Sequence, residues 1–113
     1  MNRAADHLDP FNGRQAEHLH HVTGKDADGR YFDPMFMIPL TSIQHVREHQ
    51  SWGPMFKDRV HGDDAMLRLR RAGHLLVRLG DHHAGDGVVL PALFVHHLGL
   101  VLHEVANERK RQP

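Results

Sequence analysis

Two pairs of histidines constrain the fold of this 113-residue chain more than any other feature of its sequence. The first pair is adjacent, His20-His21, and the second, His45 and His49, is spaced four residues apart. Residues at that spacing project from the same face of a helix, one turn apart. Two imidazoles placed in this way suit a single divalent metal ion, as in other helical His-x-x-x-His sites. A third ligand must then come from elsewhere in the chain.

The adjacent pair supplies that ligand if it lies on a strand. The side chains of residues 17–22 alternate loosely between two faces, with Leu19 and His21 on one and His20 and Val22 on the other. This alternation favours a short strand. Neighbouring side chains on a strand point to opposite faces, so only one of His20 and His21 joins the same ion. The other is left for chemistry, and a neutral histidine beside a metal ion is a competent general base near neutral pH.

The composition limits which residue types could bind a metal ion and which partners are expected. The chain has no cysteine, so disulfides are excluded and a metal ion must be held by His, Asp or Glu. Its formal net charge is zero with histidines neutral, so no global positive field indicates nucleic acid. The N-terminus lacks the apolar stretch of a signal peptide, and the most apolar run, residues 88–102, is too short to span a bilayer. We therefore expect a soluble, cytoplasmic protein with no membrane partner.

The length and patterning predict one small α+β domain. Residues 1–15 carry turn signals without periodicity, so we expect an irregular arm there. In residues 16–53 we expect two short extended segments, the second closed by Pro39, and then a helix. That helix is predicted to run from Ser42 to about Gln50 and to be ended by the Ser-Trp-Gly-Pro sequence at residues 51–54.

Residues 62–109 predict two packed helices. The apolar face of the first consists of Leu69, Ala72, Leu76 and Leu79. Its opposite face carries Arg68, Arg71, His74 and Arg78, and Gly80 fits its end. The second helix is predicted from Pro91 to about Arg109, with an apolar stripe of Phe94, Leu98, Val101 and Val105. Leucines at 93, 100 and 102 widen this stripe, so we expect a helical hairpin whose extra apolar surface faces the first half of the chain or a second copy in a homodimer.

The two histidine pairs and their spacing resemble the HNH (ββα-metal, His-Me finger) endonuclease family in its His-His…His-x-x-x-His form. Residues 20–24, 29–34 and 39–40 are also similar to a group of small HNH-like proteins. The resemblance covers roughly residues 16–53 and implies a ββα-metal unit, with the helical hairpin following it.

By position, the resemblance implies one divalent ion (Zn, Mg, Mn or Ni) on His20, His45 and His49, with His21 as general base. The implied activity is hydrolysis of DNA phosphodiester bonds, and DNA is the implied partner.

The sequence departs from the family pattern at two points. The family's central Asn, which orients the base histidine, would fall near Phe36, and Asp33 is the nearest polar residue. Many relatives also hold a structural zinc with Cys-x-x-Cys pairs. Here Thr41 and Gln44 occupy two of the corresponding places. The fold must therefore stand without that second metal.

Two other functions stay open on the sequence. The same histidines would hold a structural zinc in a catalytically degenerate HNH-like module that binds protein or nucleic acid, or they would bind no metal in a protein of interaction only. Residues 81–86, with two histidines and two aspartates, are a second candidate metal cluster. The arginine face of the first C-terminal helix suits phosphate contact in general terms. Lys25 and Arg30, in the loop between the two extended segments, are better placed for such contact.

Overall fold

The computed structural model describes residues 4–55, 64–83 and 90–111. A 3-10 helix, Ala4–Asp6, precedes strands β1 (His18–His21) and β2 (Met37–Leu40). Three helices follow, α1 (Ser42–Met55), α2 (Asp64–His83) and α3 (Ala92–Arg111). The two strands form an antiparallel sheet, so the α+β class predicted from the sequence is confirmed.

The sheet sends the first two histidines to opposite sides. In the pairing of β1 with β2, His20 lies opposite Ile38 and His21 opposite Met37. His20 is 1% exposed, whereas His21 is half-buried, as the alternation of strand side chains requires. Pro39 does not close the second extended segment but lies inside β2, opposite Leu19. Both strands of a two-stranded sheet are edges, and an edge strand tolerates a residue without an amide donor.

The N-terminal arm is built into the fold, although its described residues form no regular element beyond the short 3-10 helix and an isolated bridge. Leu8 and Gln15 form an isolated bridge, and Phe11 is buried in the core. The carboxylate of Asp9 is fully buried and accepts hydrogen bonds from the amide and the hydroxyl of Thr41, at 2.7 and 2.8 Å. The arm therefore anchors the start of α1.

Helix α1 begins where the sequence predicts but ends later. Its first amide, that of Ser42, donates to the carboxylate of Glu17 at 3.1 Å, which satisfies one of the unpaired donors of a helix N-terminus. The helix continues through the predicted stop at residues 51–54 to Met55. Bonds within the last turns stabilise it there: Ser51 Oγ donates to the Glu48 carbonyl and Trp52 Nε1 donates to the Glu48 carboxylate.

Helices α2 and α3 pack against each other as the expected hairpin. The predicted apolar face of α2 packs on the core, but the buried surface of the helix extends beyond it. Its buried residues are Ala65, Arg68, Arg71, Ala72, Leu75 and Leu79. Leu69 and Leu76 pack against the core only in part. Two of the arginines expected in solvent are thus buried, because partners on other elements neutralise or bind them. Helix α2 also passes the predicted end at Gly80, while the predicted start at residues 62–63 lies outside the described residues.

Helix α3 buries the apolar stripe predicted for it. Phe94, Val101 and Val105 are buried, and Leu98 packs beside them. Leu93, Leu100 and Leu102 are between 38% and 48% exposed, so each keeps part of its apolar surface uncovered. The prediction that they bind a second copy stays a prediction. Within the described ranges, no helix has the length and apolar character needed to cross a membrane.

The hydrophobic core is continuous from the arm to the last helix. Phe11 of the arm, Phe36 and β2, α2 and α3 all contribute fully or almost fully buried apolar side chains to one cluster. The helical hairpin therefore packs against the sheet and α1. The histidines of the two pairs lie on β1 and on α1.

Candidate metal centre

Three of the four predicted histidines meet at one point. One ring nitrogen each from His20, His45 and His49 lies within 4.8 Å of the others. The ring centroids are 5.1 Å apart for His20 and His45, 5.0 Å for His20 and His49, and 4.9 Å for the helical pair. The four-residue spacing on α1 and the inward side of β1 together bring these rings into contact, as the sequence predicts.

The three histidines differ in exposure. His20 is buried, His45 is half-buried and His49 is exposed. The Nε2 atoms of His45 and His49 are 3.1 Å apart. The cluster is therefore closed at the strand and open to solvent at the outer helical turn, which leaves room for a further ligand from solution.

His20 has buried nitrogens that the protein does not satisfy. Neither its Nδ1 nor its Nε2 has a hydrogen-bond partner among the described residues. A buried polar group left without a partner costs about 1–3 kcal/mol. Three histidine nitrogens converging with an open side match the donor set of a divalent metal site that keeps one position for water or substrate. The residues present therefore fit a metal ion, and His20 is the residue that most needs one.

The electrostatics keep these imidazoles neutral. The pKa of His20 is lowered to about 2, mainly by burial and next by the neighbouring His49 and His45. Burial is also the main cause that lowers the pKa of His45 and that of His49. Metal ligation requires the unprotonated ring. At neutral pH the three histidines are thus in the form that binds metal.

His21 lies outside this cluster but lines the same cavity as His45 and His49. Its ring stacks on Tyr31, with centroids 3.7 Å apart and planes 12° apart. Partial burial lowers its pKa, and the charge of Lys25 lowers it further. The neutral ring is held in one orientation and can accept a proton.

Asp33 does not take the place of the family's orienting Asn. Its carboxylate accepts a 2.6 Å bond from the Thr23 hydroxyl and a 3.0 Å bond from Arg68 Nε. Phe36, at the position where that Asn would fall, is fully buried and packs edge-on against Phe94. Stacking on Tyr31, rather than a hydrogen bond from either position, is what orients His21.

Two further residues support the triad from α1. The Trp52 ring lies 5.3 Å from that of His20 and 4.7 Å from that of His49, measured between centroids. Its Nε1 donates at 3.0 Å to Glu48, which is fully buried and pairs with Arg78. The sequence assigns Trp52 only to the end of the helix, and Glu48 was missed, although their four-residue spacing places them on one helix face.

His18 was also missed. Its ring centroid lies 5.1 Å from that of His45. The signal was present in the sequence, because strand alternation puts His18 on the same face as His20. It is exposed and is not one of the three histidines whose nitrogens converge.

The second candidate cluster, at residues 81–86, does not form a metal site in its described part. His83 Nε2 lies 2.6 Å from the Pro10 carbonyl, and His82 packs edge-on against Phe11. Both rings therefore contact the N-terminal arm. Asp86 lies outside the described residues.

The comparisons with known proteins add no relative: no family model, no curated protein and no solved structure matches this chain. The interpretation of the site therefore depends on the residues and distances given above. Of these, the cluster of three histidines is the most specific.

Proposed function

We propose that this chain is a metal-dependent endonuclease of the HNH type that hydrolyses DNA phosphodiester bonds. The observation that carries the proposal is the buried, unsatisfied imidazole of His20 facing His45 and His49. The chain order β1, β2, α1, with one ligand from a strand and two from the helix, supports a ββα-metal unit.

In this proposal His20, His45 and His49 hold one divalent ion, which is Zn, Mg, Mn or Ni. When bound, such an ion supplies Lewis-acid stabilisation of the charge on the phosphate and the departing oxygen. Trp52 and the Glu48–Arg78 pair hold the outer ligand His49 in place and exclude water from the back of the cluster. Loss of groups that orient a metal ligand typically weakens metal binding by about 10–100-fold.

His21 is the general base. Its neutral ring takes a proton from the water that attacks phosphorus, and its place in the cavity beside His45 and His49 brings that water next to the triad. Tyr31 limits the rotation of the ring by stacking, so less ordering of the base is needed at the moment of reaction.

The first experiment measures metal in protein purified without a histidine tag. About one equivalent of a divalent ion in wild type, and loss of it in His45→Ala, is the expected result. Retention of the ion in His103→Ala, a change at an exposed histidine of α3, is the matched control. Metal content far below one equivalent in wild type would reject the site.

The second experiment measures cutting of supercoiled plasmid and of circular single-stranded DNA with added Mg²⁺, Mn²⁺, Ni²⁺ or Zn²⁺. Removal of a general base costs about 10²–10⁴ in rate, so His21→Ala should cut at least about 100-fold more slowly than wild type or His103→Ala. If wild type cuts neither DNA faster than His21→Ala, catalysis by this site is wrong even where metal is bound.

The competing function is a catalytically degenerate module that binds metal and acts in protein or nucleic-acid binding. The engagement of Asp33 by Arg68 and Thr23 favours it, since this carboxylate is then not the group that orients His21. One equivalent of metal, a folded protein and no cutting that depends on His21 would identify this function.

A further inference from the structure

A cavity of about 510 Å³ opens beside the histidine triad. Its volume falls in the range of about 300–1,000 Å³ that is typical of sites for small molecules. One nucleotide fits a space of this size, whereas a double helix does not enter it. The size therefore bears on which form of DNA reaches His21 and the triad.

Two cations line this cavity, Lys25 from the loop between the strands and Arg71 from α2. None of its lining residues in the described part of the chain is acidic. Arg71 is held in place, because its Nη1 donates at 2.6 Å to the Thr23 carbonyl and its guanidinium lies 4.7 Å from the centre of the Trp52 ring. Lysine and arginine are the side chains that proteins use to bind phosphate, and this pair flanks the base and the triad.

Two other arginines of α2 bind carboxylates outside the cavity. Arg68 binds the carboxylates of Asp33 and Glu104, and Arg78 binds that of Glu48. Among these three arginines, Arg71 is the one that lines the cavity.

The rest of the wall contains apolar and aromatic side chains, those of Leu19, Tyr31 and Trp52. A site for phosphate alone does not need such a wall. An unpaired base has a flat apolar face, and contact with aromatic or apolar side chains stabilises it by about 1–3 kcal/mol. In a duplex that face is covered by the neighbouring bases.

Gly24 keeps this wall in shape. It has a φ of +73°, and a Cβ atom at this position would lie 2.7 Å from Arg71 Nη1 and 3.0 Å from a ring carbon of Trp52. The loop can pass this close to both side chains only with glycine. The cavity is therefore fixed by contacts among the loop, α1 and α2.

We propose that this cavity is a subsite for one unpaired nucleotide of single-stranded DNA, with Arg71 and Lys25 binding its phosphate and Leu19, Tyr31 and Trp52 contacting its base. The identity of the ligand as DNA rests on the proposed function, whereas the preference for an unpaired nucleotide rests on the size and lining of the cavity. The phosphate so bound lies beside His21, which is where an attacking water would be activated.

The test is binding, measured without divalent metal so that no cutting occurs. Fluorescence anisotropy compares a short fluorescein-labelled single strand with the same sequence as a duplex. Wild type should bind the single strand at least about 10-fold more tightly, which is the effect of about 1.4 kcal/mol of base contact. The mononucleotide dTMP should displace the single strand at lower concentration than thymidine, because only dTMP carries the phosphate.

The variants separate this site from general charge. Lys25→Met and Arg71→Met should each weaken single-strand binding about 10-fold, whereas Lys110→Met and Arg70→Met, at exposed positions of α3 and α2, should not. Lys25 is exposed on a loop, so its variant remains decisive if Arg71→Met fails to fold by circular dichroism.

Duplex binding as tight as single-strand binding, or an equal loss in Lys25→Met and Lys110→Met, would overturn the inference. Single-strand preference without any cutting that depends on His21 would retain the subsite and reject the endonuclease. Cutting that depends on His21, with no preference for the single strand, would reject the subsite and retain the endonuclease.

Discussion

His20 is the residue in which the properties of the site are most concentrated, since it is buried, neutral and without a protein hydrogen-bond partner in the described structure. The chain keeps a polar ring at this buried position of the two-stranded sheet, where an apolar side chain would pack at a lower cost in free energy. Its partners in the cluster, His45 and His49, are polar and progressively more exposed. A residue so placed should dominate the response of the metal-free protein to acid.

The first prediction is that the metal-free protein loses stability below about pH 6.5 because of His20. Its pKa is about 2 in the folded state, so between these values the unfolded chain binds a proton that the folded chain does not. The contribution of neutral His20 to the stability is therefore fully present above its pKa in the unfolded chain. It is lost as the pH falls towards its pKa in the folded protein. Urea unfolding in EDTA at about pH 7 and about pH 5 should show a loss about 2 kcal/mol larger in wild type than in His20→Leu. Equal losses in the two proteins would contradict this.

The second prediction concerns Glu48, whose carboxylate is fully buried between Arg78 and the Trp52 indole. Glu48→Ala leaves the Arg78 charge without its partner, so the free energy of unfolding should fall. The loss should be smaller than the value of about 3–5 kcal/mol for a fully buried pair, because the Arg78 side chain is 22% exposed. Glu48→Gln, which can still accept the Trp52 bond, should cost less. Asp81→Ala, at an exposed acid of α2, is the control, and a Glu48→Ala cost no larger than that of the control would count against the assignment.

The sequence predicts the clustering of the three histidines well and the buried arginines poorly. Histidine spacing and strand alternation are local properties, so His20, His45 and His49 can be assigned to one cluster without a structure. Arg68 and Arg71 lie next to the apolar stripe of α2, but periodicity alone assigns arginine to solvent. Their partners, Asp33 and the Thr23 carbonyl, are more than thirty residues away in the chain, and only the tertiary structure brings them together.

At the scale of elements, the loop between β1 and β2 is held by α2 as much as by its own strands. Arg71 binds the Thr23 carbonyl, and Arg68 binds Asp33, so both ends of the loop are fixed from one helix. Local stop signals fail elsewhere for other reasons. Pro39 stays within β2 because an edge strand tolerates it, and Gly53 stays within α1, where bonds to Glu48 stabilise the last turns.

The third prediction compares two glycines of this loop. Gly24 and Gly29 both have positive φ, but only at Gly24 would a Cβ meet other atoms. Each change to alanine carries a backbone cost of about 1–2 kcal/mol. Overpacking against Arg71 and Trp52 should add about 1–3 kcal/mol in Gly24→Ala. Urea unfolding of both variants measures this difference, and similar losses would show that the contact is relieved without cost.

At the scale of the whole molecule, metal binding and folding should be coupled. The three clustered histidines come from β1 and α1, which meet only when the chain is folded, so the unfolded chain has no preformed site. The continuous core then spreads the stabilisation from the sheet to α3.

The fourth prediction follows from this coupling. A divalent ion at 100 times its dissociation constant should raise the free energy of unfolding by about 2.7 kcal/mol, which corresponds to a rise in Tm of about 10 °C. His49→Ala should abolish the rise with little effect on the metal-free protein, because His49 is exposed. Thermal unfolding followed by circular dichroism, with and without metal, makes the comparison, and His103→Ala should behave as wild type. A rise of equal size in His49→Ala would place the ion elsewhere.

The arginines of α2 also determine whether the histidine cluster could be transferred to another protein. A peptide of residues 17–55 would carry all four histidines of the two pairs together with Glu48, Trp52 and the whole loop. It would lack Arg78 to balance Glu48 and Arg71 to hold the Thr23 carbonyl, so the helix and the loop would have no common support. Transplanting the histidine motif into another scaffold would therefore move the ligands without their geometry. A functional graft would have to carry the arginine-bearing side of α2 as well.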